Sequence, residues 1–158
     1  MPTRCAHGGG PGAIQPSFLL FVLSLSLGVI VAAASGNGLA TTVRMVLPGG
    51  TSLPALLGIA AISALPANLV NNLPAILIIA PVAVASGPAA VLAALVGVNV
   101  GPNLTYAGSL ATLLWRRLLR AEDAGVNLGE FTRLGAATVP AALAASTLML
   151  WFGVKAGL

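Results

Sequence analysis

The chain has 158 residues, 58% of them apolar and only 6% charged, against about 25% charged in an ordinary soluble domain. Seven basic and three acidic side chains cannot solvate a globule of this length, and positions 45–115 carry no Lys, Arg, Asp or Glu. The composition therefore excludes a water-soluble domain and predicts an all-α membrane protein.

The net charge of +4 lies at the ends of apolar runs, where it reads as a topology signal and not as a nucleic-acid footprint. A single cysteine, Cys5, leaves no intramolecular disulfide and no Cys-x-x-Cys metal site, and His7 is the one histidine, in a Gly-rich tail. Neither a metal site nor a cofactor is expected.

Residues 1–16 hold three Pro and four Gly and read as a disordered or truncated leader. Residues 17–34 are an apolar run of about 27 Å as a helix, enough for one transmembrane crossing. A signal peptide is the rival reading, with Arg4 as its charged head and Ala32, Ala33 and Ala34 as the small-residue cleavage site. Residues 35–52 form a Gly/Thr/Ser-rich link with Arg44 and the Pro48-Gly49-Gly50 punctuation, with room for an interfacial helix over Leu39 to Leu47.

Residues 53–85 would make one helix of about 50 Å, too long for a single crossing and too short for two with a turn. The middle of this stretch carries Pro66, Asn68, Asn71, Asn72 and Pro74. Each proline removes a backbone donor, and carboxamides can satisfy the groups so freed. Non-helical backbone at membrane depth survives only where protein or water covers it. The spacing predicts a re-entrant hairpin over 53–85, with its tip at 66–74 and half-helices on either side; a single Pro-kinked span is the alternative.

Residues 88–120 form a second interrupted segment, broken over 99–108 by Asn99, Gly101, Pro102, Asn103, Thr105 and Gly108, and helical again from Ser109. Trp115 followed by Arg116, Arg117 and Arg120 makes an aromatic and cationic stop, which places the loop 116–130 on the cytoplasmic side. Asn127 with Glu130 three residues later opens a last apolar run, a transmembrane helix over 131–152.

The two breaks echo one another. Asn68, Asn72 and Leu73 repeat as Asn99, Asn103 and Leu104 in the pattern N-x-x-x-N-L, and five of the seven asparagines fall in these breaks. In hydrocarbon each unpaired amide costs several kcal/mol. Paired broken helices place half-helix N-termini and unwound carbonyls around a solute. The candidate substrate-binding residues are therefore Asn68, Asn71, Asn72, Asn99, Asn103, Thr105 and Ser109. Helix-to-helix adhesion through interhelical hydrogen bonds is the competing role for the same side chains. No catalytic acid-base pair, nucleophile with histidine, or soft metal-ligand cluster occurs from 45 to 115, and no Walker loop is present, so the inventory predicts a protein that is not an enzyme.

The strings N-L-V-N-N-L-P-A (68–75) and G-V-N-V-G-P-N-L-T-Y-A-G-S-L-A-T-L-L-W-R-R (97–117) resemble the C-terminal half of the arsenical pump membrane protein (ArsB) family, within the ion-transporter superfamily. The resemblance covers roughly residues 39–152. It implies export of arsenite or antimonite across the cell membrane by a multi-pass secondary transporter. The coupling ion would be a proton, or energy would come from a separate ATPase subunit. It also implies two inverted repeats, with 53–85 as the hairpin and 88–120 as the broken helix of the second repeat. Arsenous acid is a neutral tris-hydroxy species near pH 7, which amides and hydroxyls suffice to bind.

The length admits one repeat, so the resemblance implies half of a substrate site at the membrane midplane. The other half would come from a first-repeat polypeptide or a second copy. Two other readings stand beside it: a non-transporting membrane remnant or assembly subunit, and a sodium/proton or carboxylate carrier of the same superfamily. The carboxylate carrier is disfavoured because the sequence shows no basic residue near the breaks.

Overall fold

The computed structural model describes residues 16–105, 108, 119 and 127–157, and all regular structure among them is helical. The leader 1–15, Ser109, Arg116, Arg117, Arg120 and most of the 116–130 loop lie outside the described residues. Helix α1 spans Pro16–Ala34. A kink over Ser35–Leu39 follows, with Gly38 at φ 99° and the Asn37 Nδ2 donating to the Ala33 carbonyl at 2.8 Å. Helix α2 covers Ala40–Val46, inside the link after the first apolar run.

Helix α3 runs Leu53–Val70 and α4 runs Asn72–Val84. This corrects the sequence-based outline of the first break. Pro66 does not end a helix: it lies inside α3, its missing N–H costing the Ile62 carbonyl its usual partner while the chain stays helical to Val70. The non-helical tip narrows from 66–74 to Asn71 alone. Pro74 falls in the first turn of α4, where backbone N–H groups have no intrahelical acceptor in any case. At 18 residues α3 is itself long and apolar enough to cross a membrane, as are Leu25–Val46 across the kink and Leu128–Lys155; α4 is shorter.

Helix α5 covers Pro88–Val100 and tightens into a single 3₁₀ turn over Gly101–Leu104, and extended backbone begins at Thr105 (φ −130°, ψ 157°). Asn99 therefore sits within α5, and regular α-helix is lost two residues later than the sequence outline has it. Helix α6, Leu128–Lys155, is capped by Asn127, whose Oδ1 accepts from the N–H groups of Gly129 (3.1 Å) and Glu130 (3.2 Å). At its far end the Lys155 ammonium lies 5.9 Å from the Trp151 ring centroid, a cation over an aromatic face as found at membrane boundaries.

The layering follows from which residues are small. Helices α3 and α5 run parallel in close contact, Gly97 against Ala60 and Ser63, and Gly101 against Ala64. Helix α4 folds back antiparallel to both, and α6 packs along α5 in the opposite direction. The core is mostly alanine, with Leu56, Ile59, Ile79 and Val98 as its larger members. Lipid tails are as apolar as leucine, so helices in a bilayer adhere by close van der Waals fit, and small residues permit it. Bulky side chains such as Val29, Leu65, Leu77 and Leu92 point outward, where lipid or further protein would solvate them. Buried hydroxyls are satisfied locally: Ser63 donates to the Ile59 carbonyl at 2.7 Å and Thr147 to that of Leu143 at 2.6 Å.

Candidate functional site

The parallel course of α3 and α5, joined by the returning α4 that packs beside both, brings both breaks to one end of the bundle. The contact is direct. Asn68, in the last turns of α3, accepts at Oδ1 from the Thr105 backbone N–H (3.2 Å) and from the Thr105 hydroxyl (3.0 Å). Gly108 is packed on the same Asn68 Oδ1 and on the Pro102 carbonyl, leaving no space for a side chain at 108.

Asn71 forms the tip. At φ 84° and ψ 160° it occupies a region essentially reserved for glycine. Its side chain compensates in part, Oδ1 accepting the Asn72 N–H at 2.8 Å and so capping α4. A backbone held in such a conformation costs about 1 to 3 kcal/mol. Asn71→Gly is therefore expected to match or exceed the parent in stability, by up to about 1 kcal/mol, since glycine replaces an asparagine cap at a cost of only a few tenths. Asn71→Ala keeps the Cβ and loses the cap, and is expected to lower stability by about 1 kcal/mol. Thermal midpoints of the two variants in detergent check this; a glycine variant less stable than the alanine one would contradict it.

Asn72 and Asn99 flank a shallow cleft of about 230 Å³ between α4 and α5, completed by Leu73, Ile76, Leu95 and Val98. Both carboxamides are exposed. The Asn99 Nδ2 donates to the Leu95 carbonyl one turn back (2.8 Å), which fixes the side chain. Asn103 is also exposed, and its Nδ2 donates to the Val100 carbonyl at 3.3 Å. Its backbone carbonyl, with that of Leu104, faces Gly135 of α6, where an added Cβ would sit 2.7 Å from the Leu104 oxygen. Gly101 and Pro102 are buried in the 3₁₀ turn. The tertiary arrangement thus pairs Asn68 with Thr105 and Asn72 with Asn99, sets Asn71 at the tip, and leaves Asn103 to one side.

One feature was hidden from the sequence outline: the seam Gly97/Gly101 on Ala60/Ala64, although G-x-x-x-G in an apolar segment is a signal that could have found it. Among the described residues, no group of three or more His, Cys, Asp or Glu could hold a metal ion.

A family model described as arsenical pump membrane protein matches residues 14–152. The arsenical pump membrane protein of Escherichia coli K12 is 32% identical over 125 residues, covering 73% of this chain and 29% of the relative. That of Yersinia enterocolitica is 31% identical over the same coverage. A further Escherichia coli protein of that name is 36% identical over 87 residues, 51% of this chain and 20% of its own length. The chain spans less than a third of each of these curated relatives. No solved structure matches.

Proposed function

Since the chain belongs to the arsenical pump membrane protein family, we propose that it is one repeat of an arsenite or antimonite efflux carrier, supplying half of the substrate site. It is a multi-pass membrane protein of a pump family, and the finer assignment rests chiefly on one observation. Two exposed carboxamides, Asn72 and Asn99, from the two different broken segments, flank a single uncharged cleft of about 230 Å³. Liquid water occupies about 30 Å³ per molecule, so the cleft admits a small tris-hydroxy solute with room for a few waters.

In hydrocarbon, exposed amides cost several kcal/mol each unless protein or water covers them. A polypeptide carrying the first repeat, or a second copy, would cover this face and complete the site. No carboxylate lies between residues 45 and 115; a proton is the proposed coupling ion, with a separate ATPase subunit as the alternative source of energy.

The resemblance leaves a carrier of small carboxylates as the competing reading. Vesicle flux separates the two. The chain reconstituted with the first-repeat half of the Escherichia coli relative is expected to move arsenite at least tenfold faster than empty liposomes, and the chain alone is expected to match empty liposomes. Citrate or succinate flux in place of arsenite would establish the second reading. Absence of any flux from the paired halves, with both inserted, would leave a non-transporting assembly subunit.

A further inference from the structure

We propose that Asn68 is a positioning residue that fastens the hairpin to the second break through its Oδ1. The inference rests on reading the two breaks as one site, but its test requires no transport. The geometry at Asn68 is one-sided. Oδ1 receives both Thr105 donors, the backbone N–H and the hydroxyl, at 3.2 and 3.0 Å. A backbone N–H can only donate, so the atom facing it is the carbonyl oxygen, and the amide orientation follows from chemistry. With two donors on Oδ1 and Gly108 packed against it, that oxygen has no lone pair left for a ligand.

The contact joins residues 37 positions apart at the point where helical hydrogen bonding ends. Thr105 has extended backbone and follows the 3₁₀ turn, so its N–H has lost its helical acceptor, and Asn68 replaces it. A shift of the hairpin tip therefore carries the start of the second break with it, and the spacing of Asn72 from Asn99 across the cleft is held by a side chain that does not line it. Gly108 belongs to the same device. A Cβ there would overlap Asn68 Oδ1 and lie 2.5 Å from the Pro102 oxygen, so glycine keeps the fastening closed.

Amide hydrogen exchange of the full chain in lipid nanodiscs tests this. Asn68→Leu is expected to speed exchange at the Thr105 amide by about tenfold, the loss of one hydrogen bond of ordinary net strength. Exchange at Ala94 in the α5 core should be unchanged. Asn68→Asp keeps an acceptor oxygen towards Thr105 and replaces the Nδ2 group by a second carboxyl oxygen, and it is expected to restore slow exchange at Thr105. Gly108→Ala, which leaves Asn68 intact but displaces it, should reproduce the Leu phenotype. Unchanged Thr105 exchange in Asn68→Leu, or an Asp variant as fast as Leu, would overturn the proposal. Should Asn68→Leu also speed Ala94, the Gly108→Ala and Asn68→Asp results decide it alone. Failure of arsenite flux in reconstituted vesicles would leave these outcomes as they stand.

Discussion

Gly97→Leu is expected to prevent stable folding of the bundle in detergent, and Gly97→Ala to lower its stability by about 1 to 3 kcal/mol, the usual cost of overpacking a filled interior. The cause lies in backbone contact. A Cβ at 97 would overlap the Ala60 carbonyl and lie 2.8 Å from the Ser63 Cβ, and a Cβ at 101 would lie 2.5 Å from the Ala64 oxygen and 2.6 Å from its Cα. These neighbours are main chain or the first side-chain atom, so no rotamer change can make room; α3 and α5 must separate. Separation along this seam opens the alanine core, Ala60, Ala64, Ala67, Ala90, Ala93 and Ala94, all of which are buried. It also pulls Asn68 away from Thr105 and so disturbs the candidate site at a distance. Gly28 is the control: nothing lies within 4 Å of its added Cβ, and Gly28→Ala in the middle of a helix is expected to be neutral or to stabilise by up to about 1 kcal/mol. Thermal midpoints and size-exclusion profiles of the three variants check this, and a Gly97→Leu protein as stable as the parent would refute the close-packed seam.

The second large effect concerns solute handling. Asn72→Leu and Asn99→Leu are each expected to weaken arsenite transport by the paired halves about ten- to a hundredfold, with membrane insertion unchanged. Each removes one amide flanking the cleft, and a lost hydrogen bond that leaves a polar partner unmatched costs about 1 to 3 kcal/mol. Leucine matches asparagine in the number and branching of side-chain heavy atoms and is better suited to lipid, so the loss would come from the missing polar atoms and not from misfolding. Asn103→Leu should have a smaller effect, because the residue does not line the cleft and its Nδ2 is engaged with Val100. Asn37→Leu should have none on transport, since that amide caps a carbonyl in the kink after α1. Arsenite uptake measured against concentration gives the answer. Unchanged uptake in both the Asn72 and the Asn99 variants would assign those side chains to packing.

The membrane class and the helical content were legible without coordinates, because each depends on local composition. A long stretch without charge has one favourable solvent, and Asn, Gly and Pro crowded into an apolar run mark where regular hydrogen bonding stops. The limits of the breaks were less legible. Pro66 resembles Pro74 in the sequence, yet it sits inside α3 while Pro74 starts α4. Whether a proline ends a helix depends on whether neighbouring packing holds the turn together, and Ala64 and Ala67 on either side of Pro66 are buried.

Family membership and solvent were thus written into the order of residues, since both are carried by runs and motifs a few residues long. The division of labour among the asparagines was not. Asn68, Asn72, Asn99 and Asn103 look equivalent along the chain; folding sends one to fasten Thr105, two to a shared cleft and one to its own turn. That assignment arises because glycine and alanine let α3 and α5 run side by side at backbone contact, which fixes where each amide stands relative to a partner tens of residues away. Close approach of two helices is a property of both surfaces together, and neither segment specifies it alone.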